Sequence, residues 1–479
     1  MKKRFLVAAL IFVLCGAMVF AAGRQAGSYT VPTLTWWFYG SQPGNLSDAL
    51  REISDYTQSR IGVRLDIKVS GWAESQQRMR TIVNSGEYFD IMFIDLTDYN
   101  NFVNLGAFAD ITNLLGTGAP QLQRFIPSGL WDGVKVNGKI YAVPTYKDSS
   151  KTRFFVWDDT YLKKYNIDFT KVHNFAELDA AFRKIKSGEG QRFYPLQLSQ
   201  GNLLDIVYAD DYDSLSAGLQ PIGVGINDRN RKVVSVFEQP DVMAKLRYLY
   251  GWYKDGIVNP DASVLLEPPK QLPFFHGIGW PAAATIWQTN NGVAKYQLEK
   301  VFGPSYSTDS IQGSMNAISS NSRYKAEALK LLELVNTDHK LRDMLAFGIE
   351  GVNFTYVKPN VIRNLTADQW NLARYQQGTF FQMSTMEGDP EDAWDQVRRQ
   401  NEQAESSVLL GFIFDNKAVI NEVANCKAVF DRYKNELLTG ASNPDAAVPA
   451  MMRDLNAAGF QKIMDEAQRQ VNAFRGRSL

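Results

Sequence analysis

Near the start of the chain, apolar and polar positions follow three patterns in turn. "TLTWWFY" (33–39) is almost continuously apolar, as a strand covered on both faces would be. Leu46, Leu50, Ile53 and Tyr56 then recur at helical spacing until Gly62 stops the pattern. "VRLDIKVSGW" (63–72) places Val63, Leu65, Ile67 and Val69 at every second position, which predicts a second strand. A polar helix carrying Met79, Ile82 and Val83 leads to "DIMFID" (90–95), a third apolar strand. Strand, helix, strand, helix, strand predicts an α/β domain with a parallel sheet and right-handed crossovers.

Further along, "DGVKVNGKIYAVPTYKD" (132–148) holds an Asn-Gly pair between alternating apolar residues, a hairpin signal. Gly133, Gly138 and Lys139 also fit the phosphate-loop spacing, but Ile140 stands where a metal-binding Ser or Thr is needed. The intervening residues are strand-like, so a nucleotide site is excluded. A second set of strands and helices opens at "RFFVWDDTYLKKYNID" (153–168) and includes helical patterns over 175–188, 242–258 and 323–338. Between them, "PFFHGIGWPAAATIW" (273–287) reads as a strand plus loop. From about residue 405 the pattern becomes mostly helical, interrupted by the turn-rich "TGASNPDAAVP" (439–449). The last helix carries Ile463, Ala467, Val471 and Phe474 on one stripe.

In open α/β sheets, ligands bind beyond the carboxyl ends of the strands. Trp37 and Tyr39 end the first strand, Trp72 the second and Asp95 the third, so these side chains are expected at one edge of one sheet. The competing reading is packing, which accounts for Trp36 and Phe38 but poorly for Trp72, placed in a loop by Gly71 and a polar helix start. Composition narrows the partner: Lys+Arg and Asp+Glu are both 51 in 479 residues, which leaves no basic surplus for nucleic acid or a charged membrane surface. An uncharged partner, sugars included, gains weight.

"MKKR", the apolar "FLVAALIFVLCGAMVF" and the small-residue "VFAAG" together predict an export signal over 1–21, cleaved after roughly Ala21. A membrane anchor is the alternative, but Gly16 interrupts a run barely long enough to span. Cutting before Cys15 would give a lipoprotein, although Leu14 occupies the place of a small residue. Cys426 is the other cysteine, so no disulfide is expected in the mature protein.

"SGEYFDIMFI" and "LGAFADITNLL", with the first strand and helix, resemble the N-terminal lobe of the extracellular solute-binding proteins of ABC transporters. "NGKIYAVPTYKD" is similar to their crossing to a second lobe, "FFHGIGWPAA" to the return, and "AISSNSRYKAEALKLLELVNTD" to the helix that begins the second passage through lobe two. The tail from "GFIFDNKAVINEV" to "QRQVNAF" resembles the C-terminal domain of the LplA/LipO-type subgroup, grouped with sugar-binding proteins. The resemblance implies a two-lobed periplasmic-binding-protein-like (type II) fold with a helical C-terminal extension. Lobe one is expected over 30–145 plus 273–322, lobe two over 146–272 plus 323–404, and the extension over 405–479. It further implies a monomeric receptor, periplasmic or extracellular, closing on a solute and serving a membrane permease, with no catalysis and no cofactor.

Pyranoses have apolar C–H faces and polar edges, which aromatic rings and carboxylates match. The candidate platforms are Trp37, Tyr39, Trp72, Tyr146, Trp280 and Trp287, and the candidate hydroxyl partners Asp95, Lys147, Asp148, Asp210 and Asp211. Trp252, Trp370 and Trp394 sit in helical patterns and are expected to pack. The runs "DDYD" (210–213) and "EGDPEDAWD" (387–395) are expected as solvated loops. The main rival is a secreted glycoside hydrolase, which needs only two suitably spaced carboxylates. The three histidines, His173, His276 and His339, are scattered without a metal-binding spacing, and "LQLSQG" lacks the first glycine of a nucleophile elbow. A surface scaffold would carry repeats, and none is present.

Overall fold

The computed structural model describes residues 30–474 except 73, 267–269 and 366–369; the expected export signal lies outside the described residues. The three leading strands form where their patterns place them: β1 (Thr33–Tyr39), β2 (Arg64–Ser70) and β3 (Ile91–Ile94). β1 is central, parallel to β2 from Thr33↔Arg64 to Tyr39↔Ser70 and parallel to β3 at Trp36↔Ile91. The first helix, α1 (Leu46–Ile61), ends at Gly62, whose φ of 74° is left-handed and suits a residue without a β-carbon. The second, α2 (Ser75–Ser85), buries Met79 and Ile82 on the same core. The Asn-Gly hairpin also forms, with Lys135–Val136 paired to Lys139–Ile140 and positive φ at both Asn137 and Gly138.

Two further strands complete this sheet. Met315–Ile318 lies antiparallel to β3 on one side and to Ala142–Pro144 on the other, so the chain leaves and re-enters the first lobe on adjacent strands. The departing chain enters Lys151–Asp158, the centre of a second sheet, flanked by Phe274–Ile278 and Tyr296–Tyr306.

That pairing corrects the expected lobe boundaries. Phe274–Ile278 and Tyr296–Tyr306 were expected in lobe one, but they belong to the second sheet, and Phe274 packs with Trp157 and Phe182 in the second core. The return to lobe one comes only after Tyr306. Conversely, Lys325–Thr337 and His339–Phe347, expected in lobe two, pack in the first core. Leu329, Leu332 and Leu345 lie in one cluster with Ile53, Leu115 and Leu122. The Glu333 carboxylate fixes that placement by accepting the Gln121 and Leu122 amides at 2.8 and 2.9 Å. These amides open the helix Pro120–Phe125, where backbone donors lack partners and negative charge is favoured. The rest of the segment forms a small third core, in which a three-stranded sheet packs with Trp280 and Phe380.

The tail folds as Ile420–Thr439, Pro444–Ala457 and Phe460–Ala473. Its buried stripe, Phe430, Leu455, Ile463 and Val471 among others, belongs to the same cluster as Phe237, Leu249 and Trp252. At Gly440 the backbones touch: a β-carbon there would sit 2.4 Å from the Leu249 carbonyl oxygen. The extension therefore shares the second lobe's core.

Near the crossing, the Asp309 carboxylate accepts the Ser214 hydroxyl and, at 2.5 Å, the Ser216 hydroxyl, which ties the helix Thr308–Gln312 to the second lobe. Asp213 lies behind this contact, accepting Ser407 Oγ at 2.5 Å and the Leu215 amide at 3.0 Å. Burial raises its carboxyl from 3.8 to about 6, the Ser407 bond opposes the rise, and nearby Asp309 adds to it.

Two stability tests follow from this packing. Phe430→Ala should cost about 3–5 kcal/mol and lower a single urea transition shared by the second lobe and the tail; a separate early transition of the tail would contradict a common core. A carboxyl whose pKa is higher folded than unfolded opposes folding above about pH 6, and that cost fades as the pH falls below it. Between about pH 7 and about pH 4 the native protein should gain on the order of 2–3 kcal/mol relative to Asp213→Asn. A difference in urea midpoints that stays flat with pH would contradict this.

Candidate ligand-binding cleft

Beyond the carboxyl end of β3 the chain turns into a short helix, Tyr99–Asn104. Tyr99 and Phe102 are fully buried, and the Tyr99 hydroxyl donates to the Val134 carbonyl at 2.7 Å, joining the helix to the hairpin. Asn100, Asn101 and Asn104 line a cavity of about 1340 Å³ between the lobes. The opposite walls come from Ser216–Gln220 of the second lobe and from two parts of the C-terminal segment, residues 406–416 and the last helix with Phe474. The cavity exceeds the roughly 300–1,000 Å³ usual for small-molecule sites.

The lining combines rings, amides and hydroxyls. Phe412 and Phe474 meet edge to face, with centroids 5.3 Å apart. Gln470 holds the segment around Asp415 in place, accepting the Asp415 amide at 2.9 Å and donating to the Asp415 carbonyl at 2.7 Å. On the first lobe, Arg80 lines the cavity while its Nε donates to both oxygens of buried Asp98 at 3.0 Å.

None of the eleven residues singled out as ligand contacts lines this cavity. Asp95 comes nearest along the chain, preceding the lining residues Leu96 and Thr97, and is half-buried while accepting the Thr97 amide at 2.9 Å. Tyr39 lies at the strand end, but its ring packs edge-on to Phe93 at 4.9 Å and its backbone N–H and C=O are both bonded by Gln376. Burial, reinforced by Asp95 and Asp98, raises its hydroxyl pKa far above the usual value. Trp37 is only 9% exposed; the Arg78 guanidinium lies 5.0 Å over its ring, and it borders a shallow hollow of about 270 Å³. Trp72 is the one open platform: it is 55% exposed, and its ring lies 3.3 Å from where a Gly40 β-carbon would stand.

The remaining candidates are consumed by structure. Tyr146 is buried between Phe125 and Phe381 in the first core. Lys147 and Asp148 pair with each other at 2.7 Å on the crossing. Asp210 is buried between Lys151 and Arg153, both 2.8 Å away, and although burial raises its carboxyl pKa, these cations outweigh it and keep the value below normal. Asp211 pairs with Lys245. The run "DDYD" is thus no solvated loop, because two of its carboxylates are buried and bonded. Trp280 packs with Phe380 and Trp394, and half-buried Trp287 lies edge-on to Phe275. Trp252 and Trp370 pack as expected. The amides of "YNNFVN" escaped the sequence reading, although their place opposite Tyr99 and Phe102 was a usable signal.

Among the described residues, no group of three or more His, Cys, Asp or Glu side chains could hold a metal ion, and no helix is long and apolar enough to cross a membrane. Similarity to known proteins fits this architecture. The profile of a domain of unknown function matches residues 408–476, the segment that forms the C-terminal wall. A carbohydrate ABC transporter substrate-binding protein of Streptococcus pneumoniae serotype 4 (strain ATCC BAA-334 / TIGR4) is 26% identical over 472 residues, covering 96% of this chain and 94% of the relative. The crystal structure of the N-glycan transport solute binding protein (NgtS) from Streptococcus pneumoniae superposes with a TM-score of 0.85 at 25% identity, covering 92% of this chain and 98% of that one. Its complex with Man5GlcNAc gives 0.76 at 25% identity, covering 93% and 100%. These relatives are binding proteins, so the hydrolase alternative finds no support among them. With the profile of the bacterial extracellular solute-binding proteins matching residues 53–356, more than half its length, the chain belongs to that family of exported, non-enzymatic receptors.

Proposed function

We propose that this receptor captures an oligosaccharide in the interlobe cavity and delivers it to a membrane permease. The observation that carries the reading is the cavity itself: its volume of about 1340 Å³ suits several sugar units rather than one, and rings and amides face each other across it. The Streptococcus pneumoniae relative crystallised with Man5GlcNAc, 25% identical to this chain, supports the ligand class. That protein scores 0.85 against this chain in one crystal structure and 0.76 in its glycan complex, which favours lobes whose disposition differs between states. Capture then works by differential affinity. A glycan touching Asn100 and Asn101 on one lobe and the Phe412–Phe474 corner on the other stabilises whichever arrangement satisfies both walls.

Of the residues singled out in the sequence, Trp72 and Asp95 stay in the proposal, as an extension of the cavity along the strand ends. An exposed indole in a loop offers a flat apolar face, and a half-buried carboxylate at the end of β3 accepts hydrogen bonds from hydroxyls. Lys147 and Asp148 act on the crossing instead. The export signal over 1–21 takes the chain out of the cytoplasm and, cut after about Ala21, carries Cys15 away with it; only the alternative cut before Cys15 would leave a residue for a lipid tether.

Thermal melts and small-angle scattering with oligomannose and a wider glycan panel test the reading. A ligand at one hundred times its dissociation constant should stabilise the fold by about 2.7 kcal/mol, reduce the radius of gyration and be recovered chemically unchanged. If no glycan shifts the melt while another solute class does, the carbohydrate assignment is wrong. Trp72→Ala should weaken glycan binding about tenfold and leave the melting temperature of the free protein unmoved; calorimetry showing unaltered affinity would remove Trp72 from the site.

A further inference from the structure

At one corner of the cavity the charges are arranged unlike those elsewhere along its walls. Arg80 faces Asp98, Lys135 faces Asp132 and Arg469 faces Glu466, so these cations are neutralised where they stand. The two carboxylates that line the cavity are occupied as well, Asp132 by Lys135 and Asp415 by the Lys417 amide at 3.1 Å with its ammonium at 3.9 Å. Arg229 and Arg231 line the same cavity, and neither has a carboxylate partner among the described residues. Arg231 donates to the Phe474 carbonyl at 3.2 Å and lies 5.6 Å over the Phe474 ring, contacts that orient its guanidinium and leave its charge unmatched.

The loop carrying both arginines is held firmly. The Asp228 carboxylate accepts the amides of Asn230 and Lys232 at 2.9 and 3.0 Å, which leaves it turned toward its own backbone. Arg231 sits at φ 53°, and Gln468 of the last helix brackets it, donating to the Arg231 carbonyl at 3.2 Å and accepting the Val233 amide at 2.8 Å. A guanidinium donates only and presents a planar fork, so it matches a carboxylate better than a neutral hydroxyl, which asks its partner to accept as well as donate. The facing wall carries Asn100, Asn101 and Asn104, which are uncharged and would not repel an anion.

We propose that the corner formed by Arg229, Arg231 and Phe474 is a subsite for a sugar acid, with the guanidiniums taking its carboxylate and the phenyl ring its apolar face. The C-terminal segment thereby selects ligand charge. This inference rests on the carbohydrate reading above and narrows it to acidic glycans.

Calorimetric titrations with matched pairs test it: a sialylated biantennary N-glycan against its desialylated form, and trigalacturonate against its methyl ester. At least one acidic member should bind about tenfold or more tightly than its neutral partner, with an advantage that shrinks as salt is raised. Arg229→Gln, which removes no hydrogen bond or ion pair found among the described residues, and Arg231→Gln should each bring that ratio toward one, the first without lowering the melting temperature. Neutral members binding as tightly as acidic ones in both pairs, or a preference that survives both substitutions, would overturn the subsite while leaving the carbohydrate receptor intact. If neither pair nor oligomannose binds at all, the carbohydrate reading falls and the subsite with it.

Discussion

The antiparallel strand Met315–Ile318 is the constraint on which the architecture depends. It inserts between β3 and Ala142–Pro144, so both passages between the lobes leave the first sheet side by side, at the edge where β1, β2 and β3 end. A cleft between the lobes can then lie only beyond that edge. Asn316, fully enclosed within this strand, extends the constraint: its Oδ1 accepts the Trp36 indole N–H at 2.9 Å and its Nδ2 donates to the Gln376 carbonyl at 2.8 Å. Gln376 in turn closes the end of β1 through both Tyr39 backbone groups. Buried amides satisfied at every polar atom are costly to disrupt, so one side chain couples the central strand to the returning chain.

This coupling explains why the aromatic strand ends were only partly legible. Periodicity is a local property, and it placed β1, β2, β3, α1 and the Asn-Gly hairpin close to their observed bounds. Whether Trp37 or Tyr39 faces a ligand depends on what covers it, and Arg78, Phe93 and Gln376 come from elsewhere in the chain. Trp72 stayed exposed for the reason visible in the sequence, since Gly71 takes it out of the strand and into a loop. The helices at 325–347 were misplaced for a related reason: an amphipathic stripe demands a core without naming which one. Glu333 meeting the amides of Gln121 and Leu122, more than two hundred positions away, settled that choice.

The cavity walls were the least legible part. Apart from the C-terminal helices, they come from a six-residue helix, a loop rich in Arg and Asn, and an irregular stretch around Phe412, none long enough to carry a period. Equal numbers of acidic and basic residues also hid the local excess. Global neutrality argues against large charged patches, yet it places no limit on two guanidiniums whose neighbouring carboxylate is tied to backbone amides.

Sharing a core fixes how the walls move. Because Phe430, Leu455 and Ile463 pack with Phe237 and Leu249, the C-terminal helices travel with the second lobe as one body. The Phe412–Phe474 corner must then approach or recede from Asn100 and Asn101 whenever the lobes rotate about the paired crossings. A ligand held by only one wall gains nothing from closure and cannot shift the equilibrium, however tightly it binds. Selectivity therefore resides in solutes long enough to bridge the two, with rings and cations at one end and neutral amides at the other. The tail's contribution to function follows from its contribution to folding, since the same buried stripe that anchors it also holds half of the site.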